Sequence, residues 1–156
     1  MSSIIRTRKA TIDDLDYTTN LAKKIYGAFF ETIGIPLDDN SIREVAYKFI
    51  RHGANVIIER DSLIVGMAGW TISAHPFNKN IKVFSEALWC MDSDHPSDAL
   101  RLLRAFEAEA KLAKADIVCM ANLNNGNEKK LTDIYERLGY QFVESHYMKQ
   151  LKETLL

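Results

Sequence analysis

Between Asn55 and Leu103 the hydrophobic pattern changes period once, and that change restricts the fold more than any other feature. Strand-like segments come first. Asn55–Glu59 holds the β-branched run Val56-Ile57-Ile58, Arg60-Asp61-Ser62 reads as a turn, and Leu63–Ser73 runs back. After a polar connection over 74–80, Ile81–Met91 forms a further strand with Glu86 in its middle. Apolar residues then take up helical spacing. Pro96 or Ser97 opens a helix that runs to about Lys114, and Asp116–Met120 follows as a short apolar strand. A run of antiparallel strands that feeds a strand–helix–strand unit implies an α/β chain with a mixed, mostly antiparallel sheet and helices on both faces.

The flanking segments extend this plan. Ile4–Arg8 reads as a first strand, and Thr11 is placed to cap a helix whose apolar face carries Leu15, Leu21, Ala22, Ile25 and Phe29. Gly34-Ile35-Pro36 breaks the periodicity, so 27–38 is expected to be a loop with one short turn. A second helix is expected over Asp39–His52, with Gly53 at its end. After the loop 122–127, a helix over Glu128–Leu138 is closed by Gly139, and Tyr140–Val143 and His146–Leu151 read as closing strands. The sheet would then hold about six to seven strands.

Composition narrows the class of protein. The chain has 156 residues, 47% apolar and 26% charged, with a net charge of -1, so no overall basic field argues for nucleic acid. No apolar run approaches the length of a membrane span, and the N-terminal residues lack the apolar stretch of a secretory signal. Cys90 and Cys119 both fall in strand-like runs and have no metal-binding spacing; free thiols in a reducing cytoplasm are the expectation. With no repeat or linker, residues 1–156 are expected to form a single domain.

The junction CMDSDHPSDALRLL over 90–103 has a defined chemistry. A helix N-terminus after a strand gathers unpaired N–H groups and the positive end of the helix dipole, which together attract phosphate. Yet this junction has no glycine, Pro96 lacks an N–H, and Asp94 and Asp98 would stand close to the anion. Arg101 and Arg104 are placed to oppose that charge from one turn inside the helix or from its outer side.

Three segments, in order, resemble the GNAT acyltransferase superfamily: His75-Pro76-Phe77-Asn78, then Glu86-Ala87-Leu88-Trp89 leading into Leu100-Arg101-Leu102-Leu103, then Tyr135-x-x-x-Gly139-Tyr140. The nearest likeness is to GNAT-like proteins of bacteriophages. The resemblance implies a GNAT-like fold, acetyl-CoA as acyl donor, and an amine-bearing small molecule or protein as acceptor. It implies that the backbone of Cys90 and Met91 holds the pantetheine arm, and that Pro96, Ser97, Asp98 and Ala99 surround the pyrophosphate. Asn127 stands one residue from the usual position of a further cofactor contact, which holds Glu128 here.

Glu86 is the candidate general base, since carboxylates are uncommon inside apolar central strands; a structural ion pair or a solvated strand face is the competing explanation. By the resemblance Tyr135 is the candidate acid toward the departing thiolate, against a plain packing role, with Tyr147 as a second candidate. Asn122, Asn124, Asn125 and Asn127 crowd the loop after a strand end, where they either hold pantetheine carbonyls or satisfy loop geometry. His75 and His146 are candidate bases or surface histidines. By the resemblance the aromatic segment Tyr26–Asp38 would border the acceptor pocket; a loop that tucks its apolar residues into the core is the plain alternative, and the two are compatible. No metal site is expected, and a cytoplasmic protein without membrane or nucleic-acid partners, with room for a homodimer, fits the whole. A second reading stands beside the enzyme: a GNAT-fold binding or structural module without catalysis, because the phosphate loop departs so far from the usual pattern.

Overall fold

The structure is a computed structural model and describes residues 2–123 and 126–152. A five-stranded sheet runs in sequence order: β1 (Ile5–Arg8), β2 (Asn55–Arg60), β3 (Leu63–His75), β4 (Asn78–Met91) and β5 (Ile117–Cys119). The first three pairings are antiparallel and β4 pairs with β5 in parallel, so the sheet is mixed as the sequence predicts. Among the described residues four helices accompany it: α1 (Leu15–Thr32), preceded by a short 3-10 turn, α2 (Asp39–Arg51), α3 (Pro96–Leu112) and α4 (Glu128–Arg137).

The two faces of the sheet bury different helices. Leu21 and Ala22 of α1 and Ala46 and Ile50 of α2 pack on Ile57, Met67, Leu88 and Cys90. On the other face, Leu102, Phe106 and Ala110 of α3 pack on Val56, Ile58, Trp70 and Phe84. Phe84 lies 4.9 Å, centroid to centroid, from both Trp70 and Phe106. Fully burying side chains of this kind contributes about 1.5–3 kcal/mol each. The β-branched run of β2 is buried on both sides, as a central strand requires. At Gly69 of β3 a Cβ would come within 3.0–3.1 Å of the Phe49 ring, so glycine lets α2 seat on the sheet. Buried Asn55 joins three elements: its Oδ1 accepts from the Ala10 N–H at 2.7 Å, and its Nδ2 donates to the Phe49 carbonyl at 3.0 Å.

Three expectations are corrected. First, α1 continues through Phe29 and Phe30 to Thr32, and the α1–α2 connection is confined to 33–38. Tyr26, Phe29 and Phe30 meet as aromatic neighbours along the helix (Tyr26–Phe30 5.8 Å, Phe29–Phe30 5.4 Å), and the burial of Leu21, Ala22 and Ile25 against the sheet offsets the roughly 1 kcal/mol that Gly27 costs relative to alanine. Second, 74–80 is no long connection: β3 and β4 run into a tight turn at Pro76-Phe77. Third, Tyr140–Val143 and His146–Leu151 form no strands, which leaves five strands among the described residues where six to seven were expected. Phe142, Val143, Tyr147 and Leu151 are highly exposed, so their alternation has no neighbouring surface to bury against. Gln150 does return, donating to the carbonyls of Ile33 and Gly34.

Candidate functional site

The parallel pairing of β4 with β5 is short. It joins Val83, Phe84 and Ser85 to Ile117, Val118 and Cys119 and goes no further. Beyond Ser85, β4 continues to Met91 while the other chain segment turns away toward α4, so the sheet splays. In the register with β3, Trp70 faces Glu86 and Gly69 faces Leu88, which leaves Ala87 as an extra residue. Such a bulge bends the strand at the start of the splay.

The splay opens into a cavity of about 1260 Å³. Its walls are β4 from Glu86 to Met91, the 93–100 junction, the inner side of α4, and the facing ends of α1 and α2. Of the residues singled out in the sequence, Glu86, Tyr135, Met91, Pro96, Ser97, Ala99 and Asn127 all line it.

Glu86 is partly buried, and its Oε2 accepts the Ala121 N–H at 3.1 Å. Burial raises its pKa above the ordinary carboxylate value, and the Ala121 hydrogen bond opposes that rise. Tyr135 donates through its hydroxyl to the Ala121 carbonyl at 3.0 Å. Its phenol is pushed up to about 12, first by burial and then by the Glu86 charge. Gly139, at φ +88, turns the chain so that Tyr140 comes back over Tyr135 (ring centroids 5.3 Å) and donates to Glu107 of α3 at 2.7 Å. That is a structural reason for the Tyr-x-x-x-Gly-Tyr spacing.

The exposed edge of β4 has an occupant that the sequence did not announce. Tyr26 of α1 places its hydroxyl against Trp89, donating to the carbonyl at 2.7 Å and accepting the N–H at 3.0 Å. Both peptide groups of Trp89 therefore face away from β3. Two residues on, those of Met91 face the same way, whereas the Asp92 N–H returns to Val65 of β3. Cys90 lies between them. Its side chain is buried in the core, the alternation turns its peptide groups toward β3, and burial pushes its thiol up to about 12. Trp89 and Met91 are thus the residues whose backbone faces the slot, and Cys90 packs behind it.

The 93–98 junction also differs from expectation. The Asp98 side chain is fully buried and faces inward, bonded to Arg60 Nε at 2.9 Å and Nη2 at 2.6 Å and accepting from Ser93 Oγ at 2.7 Å. Arg60 holds its carboxyl below the ordinary range. The expected repulsion of an incoming phosphate by Asp98 is therefore corrected: an arginine already neutralises it, and its own N–H donates to the His95 carbonyl. Arg101 and Arg104 lie elsewhere, with Arg6 in a shallow depression between α3 and β1. Among the described residues, Lys130 of α4 is the lysine that lines the main cavity, and arginine does not. No sequence signal distinguished it from its neighbours.

Other candidates do not come to the site. Asn122 is engaged by α4, donating to the Glu128 carbonyl and Thr132 Oγ1. Asn124 and Asn125 fall outside the described residues. His75 accepts the Phe77 N–H in the β3–β4 turn, His146 pairs with exposed Glu144, and Tyr147 is almost fully exposed. No helix among the described residues is long and apolar enough to cross a membrane.

Comparison with known proteins places this architecture. The chain has the fold of the GNAT acetyltransferases. It is similar to an aminoglycoside N-acetyltransferase, AAC(6')-Iy, in complex with a bisubstrate analog, CoA-S-monomethyl-acetylneamine (TM-score 0.73, 12% identity, 96% of this chain and 99% of that one). It is similar to a predicted acetyltransferase with acetyl-CoA from Clostridium acetobutylicum (TM-score 0.71, 18% identity, 95% and 97%). It is also similar to a GNAT family acetyltransferase from Staphylococcus aureus (TM-score 0.65, 20% identity, 94% and 98%). No family model and no curated protein matches the sequence.

Proposed function

We propose that residues 1–156 form a single acetyl-CoA-dependent N-acetyltransferase domain that acts on an amine by direct transfer. The observation that carries this reading is the splay itself: an open β4 edge, a partly buried carboxylate at its start, and a tyrosine across from it. A donor thioester laid along β4 would find the peptide groups of Met91 facing it, and those of Trp89 once Tyr26 swings aside, as an added strand would. Acetyl-CoA and CoA are bound by neighbours of the same fold, which supports this donor.

In the proposed reaction Glu86 takes the proton that the acceptor ammonium must lose, directly or through a water. The amine nitrogen then forms a bond to the acyl carbon, the C–S bond breaks with its electron pair on sulfur, and the nitrogen's second proton passes to the thiolate, directly or through a water, leaving a neutral amide and the CoA thiol. Tyr135 turns its one O–H from the Ala121 carbonyl to the departing sulfur. A phenol near 12 is a weaker acid than a thiol of about 8.5, so it stabilises the thiolate as a donor without giving up its proton outright. Burial keeps Cys90, the cysteine of β4, protonated, which favours a ternary complex over an acyl-enzyme on it.

A second reading, a GNAT-fold module without catalysis, is favoured by the pyrophosphate end. There the loop has no glycine, Pro96 brings no donor, and the Asp98 N–H is taken by His95. The likeness to phage proteins rests on the three sequence segments alone; cytoplasmic residence and a homodimer remain part of the proposal. Thermal unfolding with increasing acetyl-CoA separates the readings. A donor bound at 100 times its Kd stabilises the native state by about 2.7 kcal/mol. An unmoved midpoint at millimolar acetyl-CoA, with no acetyl transfer to any amine, overturns the enzyme.

A further inference from the structure

The acceptor end of the cavity has a definite chemistry. Its wall is formed by Phe29, Phe30, Ile35 and Leu37 of α1 and the α1–α2 connection, and by Ile42 and Val45 of α2. These side chains are partly exposed where they line a concavity, so they offer apolar surface to a ligand. Tyr26 links this wall to the catalytic end: its ring meets Phe30 at 5.8 Å, and its hydroxyl reaches β4 at Trp89.

Carboxylates are few along this path. Among the described residues, those lining the cavity are Glu86, Asp38 and Asp94. Asp38 already caps α2, accepting from the Ser41 N–H and Oγ–H at 2.7 Å each. Asp94 sits at the opposite, α3 end. Glu86 is thus the carboxylate available beside the aromatic wall. An ammonium group removed from water needs a paired charge, and a polycation needs several. This wall can serve one ammonium group and a substantial apolar body.

We infer that the acceptor is a small primary monoamine on an aromatic or branched aliphatic body, its nitrogen at Glu86 and its body against Phe29, Phe30, Ile35 and Leu37. The inference rests on the acetyltransferase reading for the fate of the amine, and on the wall alone for its recognition. It separates this chain from its neighbour bound to an acetylneamine analog, whose acceptor is an aminoglycoside.

Direct binding tests it without catalysis. Phenylethylamine, isoamylamine, spermidine and kanamycin are titrated into the full chain by calorimetry at low and high salt. Phenylethylamine should bind at least about tenfold more tightly than spermidine or kanamycin, given the apolar area it buries. The preference should grow at high salt, because screening weakens the polycations most. Leu37→Asp, at a half-exposed position, should weaken phenylethylamine at least about fivefold and strengthen spermidine. Equal or tighter binding of spermidine or kanamycin, or no measurable binding of either apolar amine, overturns the inference. Transfer of acetyl groups is scored separately with acetyl-CoA. Preferential acetylation of spermidine removes the apolar acceptor and leaves the acetyltransferase standing. Phenylethylamine and isoamylamine that bind tightly but are not acetylated overturn the apolar acceptor, and the enzyme falls with it only if none of the four amines is acetylated.

Discussion

Glu86 and Tyr135 hold opposite ends of one residue. The carboxylate accepts the N–H of Ala121 and the phenol donates to its carbonyl, at 3.1 and 3.0 Å. Ala121 lies just past the end of β5, where the sheet has stopped pairing. The two side chains therefore satisfy peptide groups that the missing β4–β5 rungs would otherwise have paired. The same bonds aim both groups into the cavity, so the splay and the proposed catalytic pair have one structural origin.

Replacement of Glu86 by Gln keeps the shape and removes the proton acceptor. Turnover should fall roughly 100- to 10,000-fold with the acetyl-CoA affinity unchanged, measured by steady-state kinetics and calorimetry. Because burial raises the Glu86 pKa, wild-type kcat should climb with pH along a limb above the ordinary carboxylate range. The Gln variant should lose that limb. Stability provides an independent check. The folded state holds this proton more tightly than the unfolded one, so the wild type loses stability as pH rises from the unfolded toward the folded pKa. Glu86→Gln should therefore melt higher than wild type at pH 7, and the gap should close at pH 4.

Tyr135→Phe should leave the acid limb in place and lower kcat by roughly tenfold, the effect of one lost hydrogen bond in the transition state. With its phenol at about 12, Tyr135 should add no limb to the wild-type rate profile below pH 10. An acid limb that moves in the Phe variant would mean that the two groups titrate as a coupled pair. Rate profiles over pH 5–10 decide between these outcomes.

Asp98 is buried and pairs with Arg60, which keeps partial access to water, so removing the arginine strands a buried carboxylate and removing the carboxylate leaves a part-exposed guanidinium without its partner. Asp98→Asn should lower stability in urea unfolding at pH 7, because it takes the charge-assisted bonds from Arg60 and the acceptor from Ser93. Arg60 depresses the Asp98 pKa, so the pair stabilises above the ordinary carboxylate pKa and is lost as pH falls through the lowered one. The cost of the substitution should shrink accordingly toward pH 2. A double change, Asp98→Leu with Arg60→Met, should recover much of it. None of these variants should tighten CoA binding, which calorimetry measures.

Tyr26→Phe removes a hydroxyl that satisfies both peptide groups of Trp89. Stability of the free protein should fall by about 1–2 kcal/mol. Binding of CoA should tighten a few-fold, because the ligand no longer displaces the tyrosine. Calorimetry on both proteins checks this, and weaker binding in the variant would place the tyrosine among the donor's own contacts.

Much of this site was legible in the sequence because its parts are local. The change of period near Pro96 positioned the strand–helix junction, and a carboxylate in the apolar run FSEALW marked Glu86. Tyr135 came from a spacing that Gly139 explains within a few residues. What the sequence concealed depends on distant partners. Asp98 read as a threat to phosphate because Arg60, 38 positions earlier, carried no sign of its partner. Tyr26 read as one more aromatic in an apolar stretch, since its hydrogen bonds cross 63 positions. The closing strands were inferred from alternation at 140–151, which shows that a strand can form and says nothing of whether a neighbouring edge is free to receive it.

The hydroxyl of Tyr26 has a consequence for the life of the free protein. A strand with a bare hydrogen-bonding edge is an invitation to any passing peptide, and proteins usually guard such edges on their outer surfaces with charge, proline or a bulge. Here the bare edge lies inside a cleft, where charge would spoil an apolar pocket and proline would delete the donors a ligand needs. A single phenol occupies one rung reversibly. It can refuse a strand, which must pair over several rungs, and still yield to a small amide that offers the same two bonds.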